Sequence, residues 1–335
     1  MSEQQVAARR WPIGVFAGVL VVGAVFAIRA FSPALGDWNL PDRAQDTLTL
    51  AISVIIESVP FVLLGILLSI VVQVWLPDGV LVRYLPKQAA LRRACISLLG
   101  MLFPVCECGN VPLARGFIVR GFTVPESITF LLSAPILNPV TIITTQQAFG
   151  WDNGILVARL VGGFVIANLI GWVYSRHPDP QSLLTPSFAA SCALPRGHEH
   201  AHRRFGESVE IFVRETAVIM PALFIGSFVA AVIQVFVPRE VLLALGGNPV
   251  WSVLAMMLLA FVVAVCSNVD AFFVLSFGST FMPGGVTAFL TFGAMVDVKM
   301  LALMRTTFTT RTLVQITTVV ALMSAAIGLL VNYVA

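Results

Sequence analysis

Between Leu48 and Leu76 the chain carries a single ionisable side chain, Glu57. A helix needs roughly 20 apolar residues to cross about 30 Å of hydrocarbon, so this stretch is long enough to span a bilayer. Comparable windows run from Pro12 to Ile28, Ile155 to Ser175, Thr216 to Val237 and Leu313 to Val334. Two more polar ones, Ser127 to Gly150 and Gly285 to Met304, are also long enough. With 58% hydrophobic and 11% charged residues, the chain is too apolar for a water-soluble globule, in which about 25% are charged. Backbone in lipid must bond internally, which leaves helices or closed barrels, and the alternating pattern of barrel strands is absent. The expected class is therefore all-α: a polytopic helical membrane protein. The window after Arg9-Arg10 is not followed by a small-residue cleavage site and a soluble domain, so it reads as a retained helix rather than a signal peptide.

The chain also repeats itself. Pro60, Gly65, Gln73 and Pro77 recur at a constant offset of 161 as Pro221, Gly226, Gln234 and Pro238, and Val80-Leu81 recurs as Val241-Leu242. After a deletion, Cys108, Asn110 and Pro125 return as Cys266, Asn268 and Pro283, and Ile170-Gly171 as Ile327-Gly328. Duplication is how many secondary transporters are built, with the substrate site where interrupted helices of the two copies meet. The expected organisation is an N-terminal helix and loop at 1–47, a first membrane repeat at 48–175, a polar cytoplasmic linker at 176–210 and a second repeat at 211–335.

Two regions do not read as simple crossings. The stretch from Ala94 to Phe122 meets Pro104, Cys106, Cys108, Gly109, Asn110 and Pro112, and the one from Val250 to Met282 meets Cys266-Ser267-Asn268 and Asp270. Proline removes a helical hydrogen bond and clashes with the preceding turn, while glycine adds backbone freedom, so a break near 104–112 and a paired one in the second copy are expected. Non-helical backbone at membrane depth must line a cavity or be enclosed by protein. Lysine and arginine favour cytoplasmic loops, and here they gather at Arg9-Arg10, Arg83 to Arg93, Arg176 to Arg214, and Arg305 with Arg311. All four clusters fall inside if each broken region enters and leaves on one side. That leaves three crossings between equivalent points, an odd number, which makes the repeats inverted; a parallel duplication with one crossing misplaced is the alternative.

The densest motif is Pro104-Val105-Cys106-Glu107-Cys108-Gly109-Asn110-Val111-Pro112. Cysteines two apart point to the same side of an extended stretch, and paired thiols suit soft, thiophilic species over hard cations. Cys266, approaching from the other copy, would complete a three-sulfur site. The plainer reading is that cysteine packs as a small hydrophobe, which is favoured for Cys95. Asn110 and Asn268 recur in both copies as polar candidates. Asn138, in Ser133-Ala134-Pro135-Ile136-Leu137-Asn138-Pro139, is either a ligand contact or part of a kink; its counterpart in the second copy is Asp297.

Charges at membrane depth cost on the order of 2.5 to 3.5 kcal/mol each on insertion scales and are functional candidates by default. Glu57, whose repeat counterpart is Val218, and Asp270 are candidate proton carriers. Glu107 lies inside the cysteine motif. Asp297 and Lys299 are expected to pair across an irregular turn. In the linker, His198, His200 and His202 alternate, so an extended segment would present three imidazoles together, which suits zinc, copper or nickel; a solvated loop with adventitious metal affinity is the alternative.

These residues resemble a known family. Cys106 to Pro112, Ser133 to Pro139 and Cys266-Ser267-Asn268 are similar to the bacterial predicted permeases that include the ArsP organoarsenical efflux permeases, and the likeness runs from about Leu48 to the C-terminus. The resemblance implies a multi-pass permease of the bacterial inner membrane, exporting trivalent organoarsenicals in its arsenical branch. Cys106 and Cys108 would capture the solute, with Cys266 as transfer partner and Glu57 and Asp270 as coupling sites. No P-loop is present, no hydrolase triad and no nucleic-acid module, so the reading is not an enzyme, with no cofactor and no nucleic-acid partner. The expected partners are the lipid bilayer, a small solute, and either further copies of the chain or an accessory subunit. Two rivals remain: a membrane thiol-disulfide oxidoreductase, which would use the same cysteine pair, and a structural subunit of a larger membrane complex, in which the polar linker would be a docking surface.

Overall fold

The computed structural model describes residues 41–77, 83–103, 105–151, 154–192, 201–236, 248–278 and 280–334. Among them the chain is helical, with α1 Asp42–Ile70, α2 Ala89–Ser97, α3 Glu107–Val119, α4 Val124–Ser133, α5 Pro139–Phe149 and α6 Ile155–Ser175 before the linker. A short α7, Pro186–Cys192, follows. The second half holds α8 Ala201–Phe236, α9 Pro249–Val263, α10 Asp270–Leu275, α11 Pro283–Met295, α12 Val298–Met304 and α13 Thr310–Val334. The expected all-α membrane architecture is observed: five helical segments are long and apolar enough to cross a membrane, Asp42–Trp75, Ile155–Ser175, Arg204–Phe236, Pro283–Met304 and Thr310–Val334. The window from Pro12 to Ile28 lies outside the described residues. The polar residues up to Glu210 belong to the first turns of α8 rather than to a loop.

The order of elements is the same in both halves: a long helix, a hairpin of two shorter helices, a crossing broken in the middle, and a second long helix. Helix starts follow local chemistry. Thr123 and Glu126 form a reciprocal capping box on α4, with Glu126 accepting from the Thr123 N–H at 2.8 Å and satisfying donors that a first turn leaves free. Asn138 and Asn248 each precede a proline and accept from backbone N–H groups of α5 and α9, the combination of amide cap and proline at the first helical position.

Contacts between helix ends fix the directions. The Arg43 guanidinium at the start of α1 sits 5.6 Å from the ring of Phe236 at the end of α8, so these counterparts run antiparallel. Tyr174, at the end of α6, donates to the Thr312 carbonyl at the start of α13 at 3.3 Å, so these do too. The bundle thus has a linker end, where α6 finishes and α8 and α13 begin, and an opposite end.

Both short-helix pairs are re-entrant. Arg92 of α2 reaches Glu126 of the α4 first turn at 2.6 Å, and Arg120, just past α3, donates to the carbonyls of Val72 and Leu76 at 2.8 and 2.6 Å. The α2–α3 hairpin therefore enters and leaves at the linker end. Asn332, near the end of α13, donates to the Pro249 carbonyl at 3.0 Å and accepts from the Gly284 N–H at 2.7 Å, while the Met282 N–H donates to Ser252 Oγ at 3.3 Å. The α9–α10 hairpin thus enters and leaves at the opposite end. Their tips, at Cys106-Glu107 and 264–269, meet inside the bundle.

Glycines permit the close packing that holds the tips. A methyl group at Gly65 of α1 would overlap the Gly109 carbonyl of α3, and one at Gly109 would overlap the Phe61 carbonyl. On the other side Gly226 of α8 lies against Lys299 of α12, with an added Cβ only 3.3 Å from the Lys299 Cα. The first hairpin and the second broken crossing are thus each pressed closely onto a long helix. The break in the first half is shorter than the prolines suggested: helix resumes at Glu107, and Pro112 lies within α3, where it leaves the Cys108 carbonyl without its usual helical donor.

Candidate functional site

The two hairpin tips carry the thiols. Cys106 is the extended residue that precedes α3, at φ −70° and ψ 172°, while Cys108 already lies in its first turn. The pair is therefore not on one side of a strand-like segment, as the spacing suggested, yet Cys106, Cys108 and Cys266 belong to one buried cluster. Cys108 also donates to Ser58 Oγ of α1 at 3.8 Å. One sulfur each from Cys106 and Cys266 and one carboxylate oxygen of Glu107 lie within 4.8 Å of one another. Cys106, Cys108 and Cys266 are 1%, 0% and 4% exposed, so the site is closed from every direction.

Glu107 joins the tips. One oxygen accepts from Ser267 Oγ at 2.9 Å, the Ser267 N–H at 3.3 Å and the Cys266 thiol at 3.8 Å, and the other faces Lys299 Nζ at 3.4 Å. Lys299 also donates to the Ala264 carbonyl at 3.4 Å. Ala264 is the sole described non-glycine residue with positive φ, at φ 51°, a left-handed conformation that costs L-residues roughly 1–2 kcal/mol and turns its carbonyl toward the lysine. The expected Asp297–Lys299 pairing is thus corrected: the lysine partners Glu107 of the other half, because Asp297 spends one oxygen capping α12 through the Met300 N–H at 2.5 Å. Its second oxygen is buried without a partner.

The asparagines divide. Asn110 is fully buried with neither amide atom hydrogen-bonded, and it lies one helical turn from Cys106 and Glu107, on their face of α3. Losing hydrogen bonds at a buried amide costs about 1–3 kcal/mol per group, so the two unmet groups are costly where they stand. Asn138 is fully engaged by protein: it donates to the Val105 carbonyl at 3.1 Å and accepts from the Val140 N–H at 2.9 Å, tying the first tip to α5. Asn268 is half-buried and accepts from Thr141 Oγ1 at 3.4 Å.

The acidic candidates also separate. Asp270 forms a two-pronged pair with Arg159 of α6 at 2.6 and 3.0 Å, and Arg159 donates onward to Thr145 of α5 at 2.7 Å. Glu57 is exposed on α1, outside the thiol cluster but within electrostatic reach of Glu107 and Lys299. His198 and His200 lie outside the described residues, as does the side chain of His202.

Sequence reasoning missed Arg159, Ser267 and Ser58. Arg159 had a signal: it is a charge inside the otherwise apolar window from Ile155 to Ser175. The serines had none, because their relevance comes from contacts across 50 and 160 positions of chain.

The profile of the ArsP_1 family, described as a predicted permease, matches residues 43–333. The chain belongs to this predicted permease family. It is 36% identical over 281 residues to the UPF0718 protein YcgR of Bacillus subtilis, covering 84% of this chain and 95% of that one. It is also 36% identical over 282 residues to a putative two-component membrane permease complex subunit of Streptococcus mutans, covering 83% and 92%. A shorter match, 32% identical over 110 residues, reaches the UPF0718 protein YraQ of Escherichia coli, covering 32% and 30%. No solved structure matches the chain. The family and the helical segments together make this a multi-pass membrane permease, a transporter rather than an enzyme.

Proposed function

We propose that this permease exports a small thiophilic solute, such as a trivalent organoarsenical, across the bacterial inner membrane, capturing it at Cys106 and Cys108 with Cys266 as the partner from the other half. The observation that carries the reading is that the buried thiols of Cys106 and Cys266 lie within 4.8 Å of each other where hairpins from opposite ends touch, with Cys108 buried one residue past Glu107 in the same motif. A trivalent organoarsenical with two hydroxyl groups reacts with two thiols to form two arsenic–sulfur bonds. The two hydroxides leave as water, taking up the thiol protons, and no atom changes oxidation state. The unmet Asn110 amide is suited to a polar group on such a solute. The ammonium of Lys299 beside Glu107 works against a bare divalent cation, which would compete for the same carboxylate.

The halves are read as inverted repeats, supported by the antiparallel pairing of α1 with α8 and α6 with α13 and by hairpins entering from opposite ends. Such repeats place the site where broken elements meet, near the midplane. Proton coupling would use Glu57, exposed beside the cluster, and Asp270 once its pair with Arg159 opens. The Streptococcus mutans relative is named as a complex subunit, which supports an accessory subunit here as well.

Expression in an efflux-deficient host tests the substrate. Growth on a trivalent organoarsenical should be protected by the intact chain and lost with Cys108→Ser, whereas arsenite and soft-metal salts should show little difference. Equal protection by the Cys108→Ser chain would refute capture by this thiol pair.

A further inference from the structure

A sealed site serves a permease only if each end can open in turn, and the question is which contacts hold each end shut. Glu107 and the thiols lie at the tips. Two helical turns from Glu107, toward the linker end, Arg115 of α3 pairs with Glu215 of α8 at 2.7 Å and donates to the Thr306 carbonyl at 3.0 Å and Thr307 Oγ1 at 3.2 Å. On the other side of the tips, Asp270 of α10 pairs with Arg159 of α6 at 2.6 Å. Each pair joins the first half to the second, and each is buried, with side-chain exposures of 5% and 4% for Arg115 and Glu215, and 0% and 4% for Arg159 and Asp270. The linker adds a second layer at its own end. The Phe188 ring of α7 lies 4.1 Å from the Arg115 guanidinium carbon, and Leu183 and Thr185 hydrogen-bond to Thr309 and Thr307 at 3.0 and 2.9 Å.

We propose that Arg115–Glu215 and Arg159–Asp270 are the two gates of the transport path, one on each side of the thiol site, and that the observed arrangement, with both closed, is the occluded state. The proposal rests on the reading of the thiol cluster as the transport site. Breaking a buried ion pair leaves uncompensated charge, so each gate opens only as its groups gain water. An opening at one end exposes Glu215 or Asp270 to solvent on that side alone. The strap formed by 180–192 makes the linker-end gate the thicker one, and its release is part of that opening.

The test is sided access to the site thiols in the full-length chain carrying Cys95→Ser and Cys192→Ser, so that Cys106, Cys108 and Cys266 alone remain. Sealed membrane vesicles of the two orientations are exposed to a membrane-impermeant methanethiosulfonate reagent, and labelling is read by mass. Glu215→Gln should raise the labelling rate by about tenfold or more from the linker side only, and Asp270→Asn by a similar factor from the opposite side only. Glu215→Asp, which keeps the carboxylate and leaves Arg115 on the Thr306 carbonyl, should stay closer to the parent level than Glu215→Gln. Labelling that rises from both sides alike, from the wrong side, or not at all would overturn the gate assignment, as would equal labelling of the Asp and Gln variants. Because the reagent is not the cargo, a sided result in a chain that moves no organoarsenical would count against the substrate alone and leave the gates standing.

Discussion

Two carboxylates open the first turns of the two inner hairpin helices, Glu107 in α3 and Asp270 in α10, and each meets a cation from the other half. The pairs are unlike. Asp270 and Arg159 make a two-pronged contact at 2.6 and 3.0 Å, further held by Thr145. Glu107 meets Lys299 at 3.4 Å and shares its other oxygen among Ser267 and the Cys266 thiol. Bidentate guanidinium contacts are strong and geometrically fixed, whereas an ammonium is a point charge on a flexible stem. The lesson is one of division of labour: the tight pair closes one end of the path until its groups gain water, and the loose one sits among thiols where its partners can be exchanged.

That contrast can be broken deliberately. Arg159→Leu removes the cation and strands Asp270, so it should destabilise the protein by about 3–5 kcal/mol, seen as a large loss of thermal stability in detergent that Asp270→Asn in the same chain partly restores. Lys299→Met should cost less, about 1.5–3 kcal/mol, because Glu107 keeps both donors of Ser267, yet it should reduce transport more than it reduces stability. Equal stability losses for the two variants would erase the distinction. Ala264→Gly, which relieves the left-handed residue beneath Lys299, should raise stability by about 1 kcal/mol in the same melting assay, the smallest effect of the three and opposite in sign.

The membrane spans were legible because their signal is local: four of the apolar windows coincide with long helices. The hairpins were legible as breaks, the second around Cys266 to Asn268 as expected, but the extent of the first was not. Cys108 and Pro112 looked like part of an extended segment, whereas tertiary packing of Gly65 on Gly109 holds helix from Glu107 onward. Asn138 read as a ligand contact or part of a kink, whereas the structure uses it as the cap of α5, where amide and proline together start the helix. The site pairings were not readable. Glu107 and Lys299 stand 192 positions apart, and nothing in the sequence around either names the other; only the folding of one hairpin tip onto the other does. Arg159 was hidden by averaging, a lone charge in a window judged by its apolar majority.

The central claim is that the tips of hairpins from opposite halves meet at one thiol site. Dibromobimane, which bridges two thiols a few ångströms apart, tests it in a chain carrying Cys95→Ser, Cys108→Ser and Cys192→Ser, with a protease site placed in the linker at 193–200. Only Cys106 and Cys266 then remain. After reaction in membranes and cleavage of the linker, the account predicts halves that stay covalently joined and fluorescent. Halves that separate although both thiols have reacted would contradict it.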